Sequence, residues 1–176
     1  WAESVNDDDL AQLLRKILIK DDGIDAIIEI LHRKLNQQFN IHHEYSESLL
    51  DVMRDTLAMY SFSRERRGKY HQDRGLAKIA EFCLKSHNGE ITTGKICQNI
   101  IDAELFYAHD YPNLLKTLAS SRPLIFLDII FGNNTLENYR LQWLLIDSSE
   151  RNTNPLNQIS DDDLISWCEI DPRVRY

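Results

Sequence analysis

Apolar residues recur at three- and four-residue spacings along most of this chain, a period that points to helices throughout. Leu10, Leu13, Leu14, Ile17 and Leu18 form one such face, introduced by Asn6 and by Asp7, Asp8 and Asp9. A capping side chain followed by negative charge at the positive end of the helix dipole is a start signal. Asp21 to Gly23 breaks this helix, and Ile24, Ile27, Ile28, Leu31, Leu35 and Phe39 give a second face. The short connection makes the two an antiparallel hairpin.

The same signals continue. A third helix is predicted from Ser46, burying Leu49, Leu50, Met53, Leu57 and Tyr60. Gly68 and Gly75 predict a loop or bend around 67–73, then a new helix carrying Leu76, Ile79, Ala80, Cys83 and Leu84 that ends at Asn88-Gly89. Ile96, Ile100, Ile101 and Leu105 mark the next, with Thr92 or Thr93 as its cap, and Asp110, Tyr111 and Pro112 open a short one with Leu114, Leu115 and Leu118. Asn134 and Glu137 have capping-box spacing before Leu136, Tyr139, Trp143 and Leu144. After a polar loop over 147–158, Ser160 and Asp161 to Asp163 introduce Leu164, Ile165, Trp167 and Cys168.

Between these amphipathic segments lies Pro123 to Gly132, apolar on nearly every side. Pro123 suits a first helical turn and Gly132 a C-terminal cap, although eight residues are too few for periodicity to separate a buried helix from a central strand. Its composition makes it the segment around which the others are expected to pack. The fold expected is all-α: eight or nine helices in consecutive antiparallel hairpins, as an irregular bundle or a HEAT-like α-solenoid fragment.

With 176 residues, 43% hydrophobic and 27% charged, the chain suits one folded domain over 1–176. Trp1 at the start and Asp171-Pro172 just before the end lead to the expectation that this domain is an excised piece of a larger protein. No apolar run reaches the roughly 20 residues of a membrane span, so no membrane role is expected. The net charge of −8 disfavours nucleic acid and anionic lipid except where positive charge is gathered locally. Cys83, Cys97 and Cys168 lack metal-ligand spacing and sit in apolar patterns, as reduced core residues of a cytoplasmic protein would.

Positive charge is gathered over 63–85, where Arg64, Arg66, Arg67, Lys69, Arg74, Lys78 and Lys85 face only Glu65, Asp73 and Glu81. Phe62, Tyr70 and His71 lie close by as groups that could stack on or hydrogen-bond a base, which makes this segment the candidate RNA contact. Arg66 and His71 are separated by four residues, a spacing that resembles the Arg-x(4–6)-His signature of HEPN-type helical ribonucleases. The resemblance covers six residues. It implies RNA cleavage, usually across a dimer, with His71 as acid or base and Arg66 stabilising phosphate charge.

Other motifs are weaker. Gly89 to Lys95 has the Gly-x-x-x-x-Gly-Lys spacing of a phosphate loop, but Ile96 stands where a magnesium-binding hydroxyl belongs and the preceding segment reads as a helix. Thr92 to Ser120 can be drawn as a helix-turn-helix whose second helix offers DNA only Lys116. His42-His43-Glu44 lacks ligand geometry, and His32 and His109 read as structural or exposed. No metal or cofactor is therefore expected. The function expected is a non-enzymatic helical protein-interaction or scaffold module that binds a protein partner or the rest of its own chain through Arg64, Arg66, Arg67, Tyr70 and Arg74, since Arg and Tyr favour interface hot spots. The alternative is an RNA-binding or HEPN-like ribonuclease domain using Arg66 and His71.

Overall fold

The computed structural model describes residues 5–20, 23–37, 44–62, 69–103, 111–132 and 154–170, with the side chains of 37 and 69–71 left aside. Among the described residues there are eight α-helices and no strand. They are α1 (Asp7–Leu18), α2 (Gly23–Gln37), α3 (Glu47–Met59), α4 (Lys69–Cys83), α5 (Gly89–Asp102), α6 (Pro112–Ser121), α7 (Pro123–Phe131) and α8 (Asp161–Ile170), with a 3-10 turn at Pro155–Gln158 before the last.

Three helix starts follow directly from the sequence. Asn6 Oδ1 accepts from the backbone N–H groups of Asp8 and Asp9 at 2.8 and 3.0 Å. Ser46 Oγ caps α3 through the Leu49 N–H, and Ser160 Oγ caps α8 through the Asp163 N–H. Each bond satisfies a donor that the helix itself leaves orphaned, a gain of about 1 kcal/mol per cap.

Packing runs in two rows. Odd-numbered helices stack on one another, α1 on α3, α3 on α5 and α5 on α7, with α8 added beside α7; α2 packs on α4, α4 on α6, and α6 on the 3-10 turn. Contacts of α1 with α2, α2 with α3, α3 with α4 and α6 with α7 join the rows into an irregular helical bundle. The apolar faces meet in one core that includes Leu14, Ile27, Leu31, Leu49, Met53, Leu76, Ile79, Ile96, Leu118 and Phe126. Each such side chain contributes roughly 1.5–3 kcal/mol through removal of its surface from water.

The centre of this packing is the α3–α4 pair, which together touch α1, α2, α5 and α6, rather than α7. Helix α7 confirms the helical reading of 123–131, but it buries only Phe126, Leu127 and Ile130, and Leu124 is 39% exposed. Its all-round apolarity does not place it at the centre.

Helix α4 also starts earlier than the glycines suggest. Gly75 lies within it and is buried, because a Cβ there would come within 2.6 Å of Ile28 Cγ2 on α2. The glycine marks a close helix crossing instead of a bend. Gly89, expected to end a helix, is the first residue of α5, and Thr92 and Thr93 lie inside α5 with their hydroxyls donating to the Asn88 and Gly89 carbonyls four residues back. Tyr60 falls just past the end of α3 but is buried as expected. The expected helix after Asn134, together with Phe39, Leu105 and Asp110, lies outside the described residues.

Candidate functional site

Three helices of the even row, α2, α4 and α6, border an open groove of about 460 Å³. Helix α2 contributes His32 and Asn36, α4 contributes Arg74, Ala77, Lys78 and Glu81, and α6 contributes Asn113, Lys116 and Thr117. Each set repeats at the three- and four-residue spacing that aligns side chains along one helix face.

Two buried features fix the walls. Gly75 lets α2 approach α4 where any side chain would meet Ile28. On the other side Asp73, fully buried, accepts from the Asn113 N–H at 3.1 Å, the Leu114 N–H at 2.8 Å and Asn113 Nδ2 at 2.6 Å. Its carboxylate thus caps the first turn of α6 from α4, in place of a local capping residue. Burial raises the Asp73 carboxyl above its ordinary 3.8, and the three hydrogen bonds and nearby Arg74 pull in the opposite direction.

Behind α6, Tyr60, Phe62 and Tyr111 form an edge-to-face aromatic knot, with Phe62 5.0 Å from Tyr60 and 5.1 Å from Tyr111 between ring centres. The Tyr60 hydroxyl lies 3.1 Å from that of Tyr111 and donates to Gln72 Oε1 at 2.8 Å. At the other end of α4, Arg54 bonds Glu47, Asp51 and the Ser86 hydroxyl, while Arg122 donates to the Leu84 and Ser86 carbonyls. These contacts hold the 84–88 turn. The groove is therefore framed by satisfied polar networks and a packed aromatic cluster.

Its electrostatics are locally positive. Arg74 is exposed and Lys116 half-buried, and Lys116 has no ion pair among the described residues. Lys78 Nζ sits 2.9 Å from Glu81 Oε2 and 4.9 Å from the centre of the Phe82 ring. Among the described lining residues, three cations thus stand against one carboxylate, on a chain whose net charge is −8.

Of the residues expected to make contacts, Arg74 is the one whose side chain the structure describes, and it lies on this groove. Arg64, Arg66 and Arg67 fall outside the described residues. Tyr70 and His71 belong to the first turn of α4, with side chains not described, so the proposed Arg66–His71 pairing is not among the described contacts. Phe62, considered as a base-stacking group, is 3% exposed and committed to the aromatic knot.

The remaining motifs resolve simply. The whole phosphate-loop look-alike from Gly89 to Ile96 is α-helical, with a helix rather than a strand before it, so the strand–loop–helix that wraps a nucleotide phosphate is not formed there. Lys116 of the helix-turn-helix candidate faces the groove beside α4. His42 and His43 lie outside the described residues, among which no cluster has the makings of a metal site. Cys83 and Cys97 are fully buried, and burial pushes each thiol up to about 12, far from a reactive thiolate. No described helix is long and apolar enough to cross a membrane.

Sequence reasoning missed Lys116, Lys78, His32, Asn36, Asn113 and Thr117 as one surface. The signal available was a polar stripe on each helix, and nothing in the sequence says that the three stripes meet. No family model, curated protein or solved structure matches the chain.

Proposed function

We propose that this chain is a helical protein-interaction module, working in the cytoplasm and using the groove across α2, α4 and α6 as its contact surface. The observation that carries the proposal is that three helices of one row pool polar and charged side chains into a single open groove. In α-solenoids, helices of successive hairpins stack so that one row presents a continuous binding surface, and the alternate-helix packing here supports a solenoid-like reading of the bundle. Buried Cys83 and Cys97, in no disulfide, support the cytoplasmic setting. The positive groove favours one second reading, RNA binding, with Arg66 and His71 as its cleaving pair; burial of Phe62 removes one of the stacking groups on which it relied.

Site-specific photo-crosslinking separates the two. A photoreactive residue is placed at Asn36 or Thr117 in the groove, and at exposed Lys95 on α5 in the other row, and each variant is irradiated in extract of the source cells. Discrete adducts from the groove positions that survive ribonuclease, with none from Lys95, are the expected result. Ribonuclease-sensitive adducts favour RNA, and equal or absent adducts at all three positions overturn the interaction module.

A further inference from the structure

We infer that the occupant of the α2–α4–α6 groove is a short acidic peptide segment, rich in Asp and Glu; this rests on the interaction-module reading and names its partner chemistry. Charge complementarity is the first reason. Arg74, Lys78 and Lys116 converge from two helices, and among the described lining residues the one acid, Glu81, is paired with Lys78. Arg74 on α4 and Lys116 on α6 bring a guanidinium and an ammonium group to the same groove, and both are groups that recognise carboxylates.

The polar lining is the second reason. Asn36 and Asn113 carry amide groups able to donate and accept, and Thr117, whose hydroxyl donates to the Asn113 carbonyl at 2.9 Å, retains acceptor capacity. Such groups match the N–H and C=O groups of a peptide backbone.

Size and composition separate a peptide from a nucleic acid. Single-stranded nucleic acid is held by aromatic platforms along a positive track. Among the described residues, the groove lining contains no Phe, Tyr or Trp. A cavity of about 460 Å³ accommodates a few side chains. A longer polyanion would run past the three cations onto a protein surface whose overall charge is −8. At physiological salt the screening length is about 8 Å, so a short segment feels the groove cations more than the distant acids.

Fluorescence anisotropy with the full chain tests this. The probes are a labelled ten-residue peptide of alternating Glu and Ser, the same peptide with Gln in place of Glu, and a ten-nucleotide oligouridine. The Glu peptide is expected to bind, more weakly as salt rises, and at least about tenfold more tightly than the Gln peptide. Arg74→Glu with Lys116→Glu is expected to weaken it by roughly tenfold or more, and Glu81→Gln to tighten it. Lys95→Glu, away from the groove, serves as the control for general charge and should leave binding within about twofold. Equal binding of the Gln peptide, tighter binding of oligouridine, no binding of the Glu peptide, or equal loss in the Lys95 variant each overturns the inference. If the Glu peptide fails while groove-specific protein adducts persist in the crosslinking experiment, acidic-peptide recognition is wrong and the interaction module stands; loss of those adducts removes the module itself.

Discussion

Asp73 shows how a single residue can set the geometry of a surface from beneath it. Its carboxylate accepts three hydrogen bonds from the start of α6, so Asp73→Ala strands buried donors and is expected to lower unfolding stability by roughly 2–3 kcal/mol. Asp73→Asn keeps the shape and one acceptor, and should cost less. The pH dependence has a definite sign. Burial, outweighing the hydrogen bonds, raises the folded carboxyl above 3.8, so above that pH the native state binds more protons than the unfolded one. Stability of the wild type relative to Asp73→Asn should therefore be greatest below pH 3.8, fall as pH rises through the folded value, and then level off. Urea midpoints of both proteins across this range check it, and a difference that grows with pH contradicts it. Nothing in the sequence marked this residue: Asp73 sits in a charged run, and its role appears only when residue 113 is brought beside it. The caps at Asn6, Ser46 and Ser160 were legible because their partners lie within three residues.

At the scale of the element, the two glycines inside helices separate propensity from packing. Replacing either by Ala gains up to about 1 kcal/mol of helix propensity. At Gly94 the added Cβ would sit 3.5 Å from Ile129 Cδ1, an ordinary contact, so Gly94→Ala should stabilise by roughly 0.5–1 kcal/mol. At Gly75 it would sit 2.6 Å from the stiff, buried Cγ2 of Ile28, and overpacking of about 1–3 kcal/mol outweighs the gain. Gly75→Ala should therefore destabilise, as thermal denaturation of the two variants will show; matching signs would mean that the α2–α4 crossing is looser than described. From sequence, Gly75 looked like a helix break and Gly94 like part of a phosphate-loop spacing. Helix identity was legible because 3.6-residue periodicity is written within each segment, whereas helix crossing depends on residues 47 positions apart, Ile28 and Gly75.

For the whole molecule, alternate-helix stacking places α3 and α4 at the centre and leaves α8 at the margin, where only Trp167 is buried and Ile165 and Ile170 are more than half exposed. Hydrogen exchange should accordingly be slowest in α3 and α4 and fast in α8, since exchange tracks the free energy of the opening that exposes each amide. Slowest exchange in α7 would instead restore the apolar 123–131 segment to the centre that its composition suggested. The all-α class was readable because the described helices other than α7 carry their own amphipathic patterns, and α7 has Pro123 and Gly132 as helix punctuation. The groove was not, because its cations are divided between α4 and α6, and Lys116 by itself looked only like a poor DNA reader.

The most direct measurement of the central claim is an amide and side-chain NMR titration of the full chain with the Glu-containing ten-residue peptide. Shifts concentrated at His32, Asn36, Arg74, Ala77, Lys78, Asn113, Lys116 and Thr117, and lost in the Arg74→Glu, Lys116→Glu variant, are predicted. Shifts confined to the α5, α7 and α8 surface, or none at peptide excess, would contradict a recognition groove built from α2, α4 and α6.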